Sequence, residues 1–147
     1  MDSTLIEIGE TGHAIRRAFD RRAAALGVTR AQWRVLARLS RYPGLRQVDL
    51  AEHMDVEPIT LCRIVDRLEE AGLVERQRDP SDRRAWRVLL TDKANPIVEK
   101  LRRLGAQLAA DVFAGIDPKE MEVMRGVLAR ARSNVAALEP PKKASNA

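Results

Sequence analysis

Four stretches of helical periodicity, a pair of short extended runs and two more helical stretches follow one another along this 147-residue chain. The extended runs, Val74–Arg78 and Trp86–Leu90, flank Asp79-Pro80-Ser81-Asp82-Arg83-Arg84, which is rich in turn-forming and charged residues. Two strands closing on a basic tip form a β-hairpin of the kind called a wing. Ahead of it, a short helix is expected from about Arg46 to Met54, with Val48, Leu50 and Ala51 facing inward. A longer helix opens at Glu57-Pro58, where Pro suits the first turn, and ends at Ala71-Gly72. Leu61, Ile64, Val65 and Leu68 form its inner face. Thr60, Arg63 and Arg67 stand at i, i+3 and i+7 and project from one outward face.

The flanking segments complete the pattern. Leu5, Ile8, Gly12, Ile15, Phe19 and Ala23 recur at helical steps over Ser3–Leu26, and Gly27 caps that helix. Thr29-Arg30-Ala31-Gln32 reads as a capping box for a second helix with Trp33, Leu36, Ala37 and Leu39 as its stripe. After the hairpin, Thr91-Asp92 is expected to cap a helix carrying Ile97, Leu101, Leu104, Leu108 and Val112, kinked by Pro96. Asp117-Pro118-Lys119-Glu120 is a second capping box. It launches Met121, Met124, Leu128, Ala131, Val135 and Leu138 in a heptad-like seam. The fold class that follows is mainly α (α+β): a winged helix-turn-helix over 29–91, with dimerisation helices at 1–28 and 92–139. The end helices find no partner in so small a lobe and are expected to bury their stripes against each other, and most simply against a second copy. Residues 140–147 lack periodicity and read as a disordered tail.

Composition excludes several alternatives. No apolar run exceeds four residues, as in Ala23-Ala24-Ala25-Leu26, far short of the roughly 20 residues a membrane span takes or the 7–15 of a secretory signal, so the expected setting is cytoplasmic, with no membrane partner. One cysteine, Cys62, allows no internal disulfide. There is no phosphate loop, nucleophile elbow or His-Glu-x-x-His, and the two histidines, His13 and His53, are far apart in sequence. The chain is therefore read as no enzyme, with no metal site and no cofactor. Residues 1–46 hold nine Arg against four acids, which accounts for the whole net charge of +5. Nucleic acid, anionic lipid and an acidic protein would all suit that balance.

The helix-turn-helix and wing favour double-stranded DNA. The second helix of such a motif enters the major groove, where Thr60 and Arg63 lie in the part that reaches base edges and Arg67, a turn later, reaches phosphate. Arg matches two acceptors of guanine. At the wing tip Asp82 and Arg84 flank Arg83, beside Arg76, Arg78 and Arg87, and an Arg held in place by a nearby acid suits a narrow minor groove. Residues 57–87 nevertheless carry seven basic and seven acidic side chains, so the face that the acids occupy decides the matter. A winged-helix protein-interaction module, and a low-specificity DNA binder that antagonises chromatin-like proteins, are the competing functions.

Four motifs resemble the MarR family of bacterial transcription regulators: Thr29-x-x-Gln-Trp, Arg46-Gln-x-x-Leu-Ala, Arg63-x-x-Asp-Arg-Leu-Glu-x-x-Gly-Leu-Val and Asp79-Pro-x-Asp-Arg-Arg-Ala-x-x-Val-x-Leu-Thr. The resemblance spans roughly residues 5–139 and is nearest the SlyA branch, through Asp92-Lys-Ala-x-Pro96. It implies a homodimer gripping a pseudo-palindrome, with Arg63 in the major groove and Arg84, braced by Asp82, in the minor groove. The DNA-facing set is then Gln47, Thr60, Arg63, Arg67, Asp82, Arg83 and Arg84. Ile59 and Cys62 stand where smaller polar or other apolar types are common. Members of the family often release DNA when a small phenolic or aromatic acid enters a cleft beside the dimer helices. Here His13, Arg16, Arg17 and Trp33 are the residues expected to hold such an aromatic carboxylate. Peroxide-sensing relatives resemble one another in placing the reactive Cys in the first helix, which has none here, so Cys62 is read as a small apolar residue.

Overall fold

A computed structural model describes residues 2–140, which divide between two compact units with the boundary between Val112 and Phe113. The first unit contains α1 (Ser3–Ala24), α2 (Arg30–Arg41), α3 (Gln47–His53), α4 (Pro58–Glu70), β1 (Val74–Arg78), β2 (Trp86–Leu90) and α5 (Asn95–Val112). The second holds α6 (Pro118–Leu138). No helix among the described residues is long and apolar enough to cross a membrane.

The helix starts follow their local chemistry. Thr29 accepts the Gln32 N–H at 3.2 Å while Gln32 accepts the Thr29 N–H at 3.1 Å, so the expected capping box forms. Gly27, at φ +74°, takes the left-handed conformation after α1 that a side chain would disfavour. Asp55, at φ +52°, makes the tight turn from α3 to α4, a conformation that Asp tolerates better than most residues.

The core is built from Val35, Leu36 and Leu39 of α2, Leu50 and Ala51 of α3 with Met54 after it, Leu61, Val65 and Leu68 of α4, and Val74 and Val88 of the hairpin. Truncating one of these leucines to Ala costs about 2–5 kcal/mol. Two expected inward positions lie elsewhere. Val48 is 63% exposed because Leu50, Ala51 and Met54 take the inner arc of α3 and leave it on the far side. Ala37 is exposed on the Trp33 edge of α2, and Val35 is buried instead.

The strands pair antiparallel with Val74 opposite Leu90, Arg76 opposite Val88 and Arg78 opposite Trp86. The Val88 N–H also donates to the Leu45 carbonyl at 2.9 Å, tying the hairpin to the connection between α2 and α3. After β2, Thr91 does not cap a helix with its side chain. Its hydroxyl donates to the Gly72 carbonyl at 2.5 Å and Lys93 donates to the Ala71 carbonyl at 2.8 Å, so the segment closes the end of α4 instead. A short 3-10 turn, Asp92–Ala94, follows, and α5 opens only at Asn95. Pro96 is thus the second residue of α5, where an N–H has no intrahelical acceptor, and the expected interior break does not arise.

The second half of α1 joins this core through Phe19 and Ala23, alongside Ile97, Val98 and Leu101 of α5. The first half does not, since Leu5, Ile6 and Ile8 are exposed. In the second unit Asp117 and Glu120 close the expected capping box. No residue of α6 is buried, and Val123, Val127, Val135 and Leu138 are exposed. The expected tail lies outside the described residues apart from Pro140.

Candidate nucleic-acid interface

Packing of Leu61, Val65 and Leu68 into the core turns Thr60, Arg63 and Arg67 outward, and all three are exposed. None of them has an ion pair or side-chain hydrogen bond among the described residues. Two of the three acids of α4 are engaged by the hairpin, while Glu70 is exposed near the outward face. Asp66 and Glu69 pair with Arg76 of β1 at 2.7 and 3.1 Å. The same guanidinium donates to Gln47 Oε1 at 2.9 Å and to the Cys62 carbonyl at 3.1 Å, so one side chain ties α3, α4 and β1 together. Burial works against its charge, yet the Asp66 hydrogen bond and the fields of Asp66 and Glu69 prevail and raise the Arg76 pKa.

Asp79 organises the wing. It is 2% exposed and receives the Ser81 hydroxyl at 2.6 Å, the Ser81 and Asp82 N–H groups at 2.8 and 3.1 Å, Arg87 Nε at 2.8 Å and Arg46 Nε at 3.0 Å. These donors, the Ser81 hydroxyl foremost and Arg87 next, outweigh burial and hold its carboxyl far below the usual carboxylate range. Beyond it the tip is set by its own backbone. Asp82 Oδ1 accepts the Arg84 N–H at 3.0 Å, so the acid fixes the main chain at Arg84 and leaves its guanidinium free. Arg78 donates to the Arg83 carbonyl at 2.6 Å and lies 4.5 Å from the Trp86 ring centre. The Arg83 and Arg84 side chains are exposed and make no ion pair or hydrogen bond among the described residues.

The arginines near the hairpin are therefore of two kinds. Arg76 and Arg87, read in the sequence as adding to the basic tip, serve carboxylates, and Arg78 holds the loop. Gln47 sits in the Arg76 brace with its carbonyl oxygen engaged. Sequence reasoning missed Asp79 as the centre of the wing and Arg46 as its partner. The Asp-Pro-Ser turn pattern could have exposed the local half of that arrangement.

The expected effector residues are partly brought together. A cleft of about 460 Å³ is lined by Arg16, Trp33, Arg34, Ala37, Arg38, Arg41 and Met54. Arg16 and Trp33 belong to it; His13 and Arg17 are exposed on α1 and do not line it. The indole N–H of Trp33 donates to Asp20 at 2.8 Å, and its ring lies 4.5 Å from that of Phe19, so the side chain serves both the core and the cleft wall. Arg34 donates to the Met54 carbonyl at 3.1 Å. Among the described residues no group of three or more His, Cys, Asp or Glu could hold a metal ion. Cys62 is a free thiol, partly covered, with Arg76 Nη2 3.7 Å from its sulfur.

A family model described as the MarR family matches residues 28–86, which takes in α2, α3, α4 and the hairpin up to Trp86. The chain is 36% identical to the transcriptional regulator PA3341, covering 90% of this chain and 97% of that one with a TM-score of 0.82. It is 29% identical to the transcriptional regulator SlyA over 92% of this chain and 96% of that one, with a TM-score of 0.79. Against wild-type apo MarR from E. coli the values are 26%, 84%, 93% and 0.74. Similarity of that extent, joined to a matching winged lobe, means that the chain belongs to the MarR family.

Proposed function

We propose that the chain is a sequence-specific transcriptional regulator that binds double-stranded DNA as a homodimer on a pseudo-palindromic operator, within the SlyA-like branch. The observation that carries this reading is the set of outward side chains without a partner among the described residues, Thr60, Arg63, Arg67, Arg83 and Arg84, beside arginines whose charges are consumed. The first turns of α4 enter the major groove, where the fork of Arg63 reads guanine and Arg67 meets phosphate. Arg84 enters the minor groove from a backbone held by Asp82. The exposed apolar residues of α1 and α6 support burial against a second copy, which would set two winged lobes on successive half-sites. In this reading the protein represses where it binds. A small phenolic or aromatic carboxylate would stack on Trp33 and pair with Arg16, shifting the population away from the DNA-binding spacing only through a difference in its affinity for the two states.

The test is titration of the protein into a duplex of its own promoter region beside random duplex, at about 50 and 200 mM salt. Tighter binding to the promoter, weakening steeply with salt, is expected. Equal binding to both duplexes would replace operator recognition with low-specificity binding, and no binding would leave a protein-interaction module.

A further inference from the structure

The outward face of α4 carries one large apolar residue that the core does not bury. Ile59 is 65% exposed, and at 3.6 residues per turn it falls on the side of the helix directly opposite Leu61, Val65 and Leu68. Isolated exposed apolar residues are common and mean little by themselves. Ile59 differs in its placement. It is the second residue of the helix, next to Thr60 and one turn before Arg63, and the rest of that face (Arg63, Asp66, Arg67, Glu70) is polar. A β-branched side chain adds no helix propensity there and contributes nothing to the core.

We infer that Ile59 is a base-reading residue that packs against the C5-methyl group of a thymine in the major groove, an inference that rests on the DNA-binding reading above. The thymine methyl is the one apolar group that base edges present in that groove, so it is the partner an exposed aliphatic side chain at this position selects. Residues i and i+4 lie about 5–6 Å apart at their Cβ atoms, and base pairs rise about 3.4 Å each. The thymine therefore stands within about two base pairs of the guanine read by Arg63. Ile59 and Arg63 together specify a short thymine-guanine step pattern in each half-site.

The experiment uses duplexes selected from a random-sequence pool by the full chain. In the tightest duplex, each thymine is replaced singly by deoxyuridine, which removes only the methyl group, and binding is compared for the parent and Ile59→Ala. At one thymine per half-site, deoxyuridine should weaken the parent about fourfold, the value of one buried methyl-sized group, and should leave Ile59→Ala unchanged. Because Ile59 is exposed, the variant should keep the parent's circular dichroism and melting temperature. If Ile59→Ala responds to every replacement as the parent does, or if the selected half-sites contain no thymine, the role assigned to Ile59 is wrong while operator recognition stands. If no duplex is enriched over random, both fall together.

Discussion

The arginines under the wing and those at its tip are the same residue type within a few positions of one another, yet the fold uses them in opposite ways. Beneath the wing, Arg46 and Arg87 converge on Asp79, and Arg76 spans Asp66, Glu69 and Gln47. At the tip and on the outer face of α4, Arg83, Arg84, Arg63 and Arg67 have no protein partner among the described residues. The seven acids of residues 57–87 cancel the seven cations in the sum, but Asp66, Glu69 and Asp79 are spent on structural arginines and Asp82 on a backbone amide. The balance that concealed a basic surface in the sequence is what fixes the rigid support beneath it.

Removing the support should have the largest effect. Asp79→Ala strands Arg46, Arg87 and the Ser81 and Asp82 amides at once, and should lower the melting temperature by several degrees or more and weaken DNA binding with it. The sign of the pH dependence follows from the depressed folded-state pKa. The stabilisation is fully present above the ordinary Asp value of about 3.9 and is lost as pH falls below it toward the folded value. Thermal melts should therefore be flat near neutrality and decline below about pH 5, more steeply in the parent than in Asp79→Asn.

Removing the reading groups should do the reverse. Arg63→Ala should cost about 1–3 kcal/mol of DNA affinity and relax discrimination at one base position. Because Arg63 has no ion pair or side-chain hydrogen bond among the described residues, the variant's stability should stay within about 0.5 kcal/mol of the parent's, as checked by urea unfolding. Arg67→Ala should weaken binding evenly across sequences and reduce the slope of log K against log salt by about 1, the value of a single neutralised phosphate. The smallest effect belongs to Arg78→Ala, which releases the Arg83 carbonyl and the Trp86 ring. It should cost about 0.5–1 kcal/mol of stability and a few-fold in affinity, because the tip gives up its preset shape.

Local chemistry made much of the fold legible. The two capping boxes, both strands and the outward triad of α4 are written in residues within a turn of one another, and they form as read. The departures come from contacts between distant segments. Arg46 and Asp79 are 33 positions apart, so no spacing rule joins them. Thr91 reads as a cap until the Gly72 carbonyl, 19 residues earlier, takes its hydroxyl. Val48 and Ala37 are apolar residues on short helices, where a rotation of one residue's worth of phase decides burial and only the packed neighbours set that phase. The cleft shows the same limit: Arg34, Arg38 and Arg41 stand at helical spacing on α2, but only the fold brings Arg16 of α1 and Met54 beside them.

If the arginines without a partner among the described residues read DNA while the paired ones hold the fold, the double variant Arg63→Gln/Arg84→Gln separates the two roles. Its melting temperature and its affinity for promoter and random duplex should be measured beside those of the parent under one salt condition. An unchanged melting temperature, with promoter affinity reduced at least about thirtyfold and promoter preference abolished, is the predicted result. Promoter binding equal to the parent's would mean that these arginines do not read DNA, and a drop in affinity that merely follows a fall in melting temperature would mean that they serve the fold.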